Sequence, residues 1–150
     1  MIRIGKVKES YGWLGNMSAF PLHYEGLEWR TSEALFQALR FEDSEIKEFI
    51  RLEKSPMGAK FKSKHYKDQM VIEPMSRQDL ANMELVLRLK IHQYPVLRNG
   101  LKDTGDRLIY EDVSNRKGGR HLFWGMRLEN GEWVGENNLG KIWMKLREEL

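Results

Sequence analysis

The sequence predicts an α+β fold: a single compact, mostly helical domain over residues 1–150, with a small set of short β-strands. Three observations carry this. The chain has 150 residues, 41% hydrophobic and 31% charged, the proportions of one soluble domain with one core. Apolar residues recur at helical spacing in long segments, at 79–93 and 137–149. Strand-like alternation is confined to short runs bounded by turn residues.

IRIGKV (2–7) alternates weakly and reads as an opening strand, and YGWLGN (11–16) has the glycines and asparagine of a turn. FPLHYEGLEW (20–29) reads as a hairpin bending at Glu25-Gly26. Thr31 is placed to cap a helix over 32–41, with Glu33 near its positive end. Ser44 is placed to cap a second helix, with Ile46, Phe49 and Ile50 as its apolar stripe. Ser55-Pro56 opens a third, proline standing where its missing N–H costs least. In the central helix, 79–93, Leu80, Met83, Leu87 and Ile91, with Leu85 and Leu89 beside them, wrap around more than one face. Pro95 ends it, and a short helical segment then closes at Gly105. Leu108–Tyr110 and Leu122–Trp124 read as short strands separated by a glycine-rich basic loop. The last helix, 137–149, places Leu139, Ile142, Trp143 and Leu146 on one face.

The absence of cysteine excludes disulfides, thiolate metal sites and a cysteine nucleophile. No apolar run approaches the roughly 20 residues that span a bilayer, and MIRIGKVKES lacks the apolar segment of a signal peptide. A cytoplasmic location and no membrane partner are expected. The four histidines are scattered without ligand spacing, so no metal is expected. No Walker or dinucleotide glycine fingerprint occurs, and no nucleophile elbow. The net charge is +3, with basic residues gathered at 60–67 and 114–121. Such a run is either a solvated face or a surface that attracts phosphate, on a nucleotide or on a polymer.

TSEALFQALRF (31–41) is the most informative stretch. As a helix it puts Glu33, Gln37 and Arg40 in one row at spacings of four and three, while Leu35, Ala38 and Leu39 take another side. The row is either a solvated face or a helix edge lent to a pocket, and the flanking Trp29 and Phe41 favour the pocket. Glu33 is the candidate acid/base: aromatic walls would raise a carboxyl pKa and Arg40 would lower it. Phe123 and Trp124 suit either the core or stacking on a planar base, a contact worth roughly 1–3 kcal/mol. GENNLGK (135–141) stands at a helix start, where backbone N–H groups either hold a phosphate or are simply capped.

KVKESYGWLGN (6–16), the hairpin ending in Trp29, SEALFQALRF (32–41), SPMGAK (55–60), TGD (104–106), FWG (123–125) and NNLGKIWMKLR (137–147) occur in an order that resembles the NADAR (YbiA-like) family. That resemblance implies an α+β domain that cleaves C1′–N bonds of ribose-type N-glycosides, with no redox cofactor. Two activities go with it: removal of ADP-ribose from modified bases, notably guanine in DNA, which reverses an ADP-ribosyltransferase toxin; and hydrolysis of early riboflavin-biosynthesis intermediates, aminopyrimidine ribose 5-phosphates.

Carried over by position, the resemblance makes Glu33 and Lys6 the catalytic residues, Lys6 trapping the opened sugar as a Schiff base. A lysine does this only when neutral; the alternative for Lys6 is an exposed edge-strand lysine. Trp13 and Trp124 would be stacking walls, Asn16 and Asn138 would orient hydroxyls or phosphate, and Gly140 belongs to the same terminal turn. Gln37 completes the helix row, and Arg40 with Lys60 would meet a pyrophosphate. Three positions depart from the family pattern: Gly15 for serine, Ala34 for histidine and His121 for aspartate. The last removes a second carboxylate and favours a lysine-centred scheme over a two-carboxylate one. The expectation is an N-glycosidase acting on ADP-ribosylated bases. The alternatives are the riboflavin-intermediate hydrolase and a non-catalytic module that binds NAD or ADP-ribose.

Overall fold

The computed structural model describes residues 1–150. Seven α-helices and six three-residue strands give an α+β chain in which helix predominates, as expected. None of the helices is long and apolar enough to cross a membrane. The chain forms two compact units, Asn16–Gln93 and Met1–Gly15 with Tyr94–Leu150.

In the unit Asn16–Gln93, β2 (Leu22–Tyr24) and β3 (Leu27–Trp29) form the expected antiparallel hairpin, Leu22 opposite Trp29. Glu25 and Gly26 both take positive φ, 50° and 79°, as a two-residue turn matched to strand twist requires. Helix α1 (Ser32–Ala38) is buried along its whole length, and its N-cap is Thr31, whose Oγ1 accepts from the Ala34 N–H at 3.1 Å. Helix α2 (Ser44–Arg51) is capped by Asp43 rather than Ser44. The Asp43 carboxylate accepts from the N–H groups of Glu45 and Ile46, and an anion suits the positive end of a helix better than a hydroxyl. Ile46 and Ile50 form its buried stripe; Phe49 falls outside the stripe and is exposed.

Helix α3 (Pro56–His65) begins as expected, with the Ser55 hydroxyl accepting from the Gly58 N–H at 2.9 Å. Helix α4 (Arg77–Gln93) starts two residues earlier than the apolar pattern suggests, because Ser76 holds its first turn through the N–H of Asp79. Its buried face is a single stripe of Asp79, Asn82, Met83, Val86, Leu87, Lys90 and Ile91. Leu80, Leu85 and Leu89 are only half-buried, so the expected wrap around several faces does not occur.

In the other unit, β1 (Ile2–Ile4) pairs in parallel with β4 (Ile109–Glu111), Ile2 opposite Ile109. Gly12–Leu14 is a single 3-10 turn. Pro95 opens α5 (Pro95–Asp103), and Gly105 follows it at φ 64°. Residues 122–124, expected as a strand, instead belong to the one-turn helix α6 (His121–Trp124). The N–H groups of Leu122 and Phe123 donate three residues back, to Gly119 and Arg120, because the glycines ahead of the run let the chain coil there. A further hairpin, β5 (Arg127–Glu129) and β6 (Glu132–Val134), turns at Asn130-Gly131, both at positive φ.

Helix α7 (Asn138–Glu148) buries Leu139, Ile142, Trp143 and Leu146, as its spacing predicts. Its start is locked onto β4: Asn137 donates to the Ile109 carbonyl at 2.9 Å and accepts from the Glu111 N–H at 3.1 Å. A Cβ on Gly140 would lie 2.1 Å from the Ile109 oxygen, so only glycine allows α7 to sit this close to the strand. Gly140→Ala would ordinarily favour a helix by about 1 kcal/mol. Here it should cost about 1–3 kcal/mol through overpacking, read as a lowered thermal midpoint; a raised midpoint would contradict this packing.

Candidate active site

Glu33 enters the site from the first turn of α1, where its own backbone N–H donates to the Asn16 carbonyl at 3.2 Å. The Ser32 hydroxyl is shared between the Asn16 carbonyl and the Asn16 Oδ1, and the Asn16 amide donates to the Met83 sulfur at 3.2 Å. Asn16 therefore works as a clasp that seats α1 against α4. The row foreseen in the sequence exists, but the helix ends at Ala38, three residues short of the expected 41, so Arg40 joins the row from the turn beyond it. The row points inward, with Glu33, Gln37 and Arg40 all buried.

The row is a directed chain. Arg40 donates from Nε and Nη2 to the two oxygens of Asp79 at 2.9 and 2.8 Å, and from Nη1 to Gln37 Oε1 at 3.1 Å. A guanidinium has donors only, so Gln37 must turn its oxygen toward Arg40 and its nitrogen toward Glu33. Gln37 Nε2 then donates to Glu33 Oε1 at 2.8 Å. Oε2 of Glu33 has no protein hydrogen bond and is not sealed from solvent. One oxygen is held by Gln37 and the other carries no protein hydrogen bond, in a side chain that is 7% exposed.

Arg40, expected at a pyrophosphate, spends this charge on a fully buried Asp79 and lies 4.7 Å over the Phe36 ring. Asp79 also accepts from the Met75 N–H at 2.8 Å. Lys60 lies on α3, half-buried, and joins none of these bonds.

Lys90, which the sequence reading did not single out, is fully buried on α4, with Nζ 3.0 Å from Ser18 Oγ and 5.3 Å from the centre of the Phe20 ring. It braces the loop that begins at Asn16. Burial lowers its pKa from 10.5 to about 7. A signal for both Lys90 and Asp79 was present in the sequence: each falls on the stripe shared by Met83, Val86 and Leu87, where a charged residue must have a partner.

The other expected residues lie in the second unit. Lys6 is exposed, in a turn closed by the Glu9 N–H donating to its carbonyl at 3.0 Å. Arg3 pairs with Glu9 and, at 2.7 Å, with Asp112, which braces that turn. Gly12 lets the chain fold back on it, since a Cβ there would lie 2.0 Å from the Val7 oxygen. Trp13 is half-buried with its indole against Gly100, where a Cβ would come within 3.0 Å of the ring. Trp124 is half-buried and meets Phe123 edge-on, 4.9 Å between centres. Asn138 donates to the Phe123 carbonyl at 2.7 Å, tying α7 to the turn that carries Trp124. Gly140 is in contact with the strand behind it, as described above.

The NADAR domain model matches residues 4–150. The chain is 31% identical over 150 residues to the N-glycosidase YbiA of Escherichia coli, covering 100% of this chain and 88% of that protein. An N-glycosidase of Nostoc punctiforme is 28% identical over 97% of this chain and 89% of its own length. A riboflavin biosynthesis protein of Vibrio vulnificus is 28% identical over 95% of this chain, which spans only 36% of that protein. The NMR structure of Escherichia coli YbiA superposes with a TM-score of 0.81 at 30% identity, over 99% of this chain and 83% of that one.

Two measurements probe the buried charges. Asp79→Ala leaves the Arg40 charge uncompensated and should cost about 3–5 kcal/mol in urea unfolding, with Arg40→Ala/Asp79→Ala costing less than the sum of the single changes. Additive costs would dissolve the pair. For Lys90, the unfolded amine keeps its proton up to 10.5 and the folded one only to about 7, so the unfolded state binds more protons between those values. Stability should therefore rise with pH from 7 toward 9, out of a total on the order of 5 kcal/mol over the whole window. Lys90→Met should abolish the rise; an unchanged slope in that variant would assign it to other groups.

Proposed function

Because this chain belongs to the NADAR domain family, we propose that it is an N-glycosidase, a hydrolase of N-glycosyl bonds, and that it removes ADP-ribose from modified bases such as guanine in DNA. The observation that carries the chemistry is Glu33, with one oxygen held by Gln37 and the other open. Opening the sugar needs a proton on its ring oxygen, and a carboxyl group pinned on one side presents one from a fixed position. In this scheme Glu33 protonates the ribose ring oxygen and the ring opens. The neutral Lys6 amine bonds to C1′; Glu33, left ionised by ring opening, takes a proton from the new ammonium and passes it to the base nitrogen as the C1′–N bond breaks. Water then hydrolyses the lysine imine, which releases ADP-ribose as the aldehyde and restores the amine.

The other residues take their roles from this scheme. Gln37 and Arg40 are positioning groups for Glu33, and Asn16 seats the helix that carries it. Trp13 and Trp124 stack on the adenine or on the base, and Lys60 and Asn138 meet phosphate oxygens. Gly140 sets how closely α7 approaches. A cytoplasmic site of action goes with a nucleic-acid substrate, and the counterpart enzyme would be an ADP-ribosyltransferase. The relative named as a riboflavin biosynthesis protein supports a second reading, hydrolysis of aminopyrimidine ribose 5-phosphates.

The deciding assay compares base release from an ADP-ribosylated guanine oligonucleotide with pyrimidine release from the aminopyrimidine ribotides. Preference for the first is expected. Lys6→Ala and Glu33→Gln should each lower turnover by about 10²–10⁴-fold with unchanged thermal midpoints. Borohydride should trap a mass adduct on the wild type and none on Lys6→Ala. Full activity in both variants would end the scheme, and tight ADP-ribose binding without any base release would make the protein a binding module.

A further inference from the structure

The segment around α3 is one of two places where basic residues gather, and it is the one that interleaves them with aromatic rings. Residues 54–67 contain five lysines and no carboxylate, while the whole chain carries a net charge of only +3. The helix turns Ala59 and Ser63 inward and leaves Phe61 63% exposed at the opposite side, in line with Met57, 48% exposed. Beside Phe61 runs an open trough of about 340 Å³, lined by Glu53, Gly58, Phe61, Lys62, His65 and Tyr66. Its aromatic wall continues outward: His65 meets Tyr66 edge-on at 4.8 Å, and Tyr66 stacks with Phe49 at 6.2 Å and 21°. Lys64 and Lys67 are exposed and take no part in an ion pair, whereas Lys62 is 3.5 Å from Glu53.

We propose that this face binds single-stranded nucleic acid, with unpaired bases stacking on Phe61 and along the His65–Tyr66 wall, and phosphates meeting Lys64 and Lys67. The proposal rests on the reading that the ADP-ribose is carried by nucleic acid, and it gives that polymer a second point of contact on the protein. Aromatic rings interleaved with lysines are what such a strand requires, since every base has a face to stack and every linkage a charge to neutralise. A duplex has its bases already stacked and offers nothing to a projecting phenyl ring. A protein partner fits less well, because interface centres are depleted in lysine. A bilayer fits less well too: the apolar stripe is one residue wide, and the opposite side of α3 is already packed. Glu53 adds an acceptor at the edge of the trough for base N–H groups.

The test is fluorescence anisotropy with an unmodified oligothymidylate or oligouridylate, with a duplex of the same length and anionic vesicles alongside, and sedimentation of the protein alone. Tight binding of either single strand over the duplex is expected. Phe61→Ala should weaken it by roughly 5- to 150-fold, the measure of one lost stack. Lys64→Gln/Lys67→Gln should lower the slope of log affinity against log salt by about 1.4. Turnover of a small mononucleotide N-glycoside should be unchanged in both variants. Equal binding of duplex, stronger binding to vesicles, self-association through Phe61, or unchanged affinity in both variants would overturn the proposal. Because the oligonucleotide carries no ADP-ribose, this result is read separately from the activity: binding without deribosylation would refute the substrate reading alone, and deribosylation without binding would refute this surface alone.

Discussion

The pairing of Arg40 with Asp79 is the constraint on which the candidate catalytic carboxylate depends. Two buried charges are costly to desolvate, and the cost is met only when geometry is good and the remaining donors find acceptors. Here the guanidinium uses both carboxylate oxygens, rests on the Phe36 ring and still has a donor for Gln37. From that point each orientation follows from the one before. Arg40 can only donate, so Gln37 must accept from it and donate onward, and Glu33 receives. A general acid needs this kind of preorganisation more than it needs any single energy term.

The same constraint explains why α1 is short and wholly buried. A seven-residue helix has little stability of its own, so its polar row can be internal only if another helix supplies partners. That helix is α4, whose inner stripe carries Asp79 for Arg40, Met83 for Asn16 and Lys90 for Ser18. An all-apolar stripe would pack at least as tightly, but it would leave α1 free to rotate or slide. Polar groups with one satisfying arrangement each fix a single register, at some expense in stability.

Local chemistry was legible in the sequence, and long-range pairing was not. Glu25-Gly26, Thr31, Pro56 and Pro95 mark their elements correctly, because a positive φ, a cap hydroxyl and a fixed proline φ act within a few residues. Asp43 displaced Ser44 because both are competent caps and only the charged one was favoured by the helix dipole. The hairpin at Asn130-Gly131 was not anticipated although it had one of the strongest short-range signals available, and the run 122–124 had none that separates a strand from a single helical turn. In the site, the Glu33–Gln37–Arg40 row was visible from spacing alone. Its direction was not, since that is set by Asp79, thirty-nine positions after Arg40. The family resemblance named Lys6, Trp124 and Asn138 as site residues, but it carried no information about Lys90, which is recognisable only as a charge on a buried stripe.

Three groups of lysines in this chain stand in different physical situations, and these separate their chemistry. Lys90 has no exposure at all, so no sugar can reach its amine; its lowered pKa describes burial and not nucleophilic use. Lys64 and Lys67, at the end of α3 and just past it, stand in solvent near aromatic rings, where an ammonium serves best as a point charge. Lys6 is also exposed, but it sits in a turn braced by Arg3 on Glu9 and Asp112 and folded back onto Gly12. A reactive amine has to combine access with a fixed backbone, because attack at C1′ depends on angle as much as on distance. The Lys6 turn meets both conditions and Lys90 fails the first. The proposal that the covalent step falls to Lys6 therefore rests on the family resemblance, and access is what sets Lys6 apart from the more perturbed Lys90.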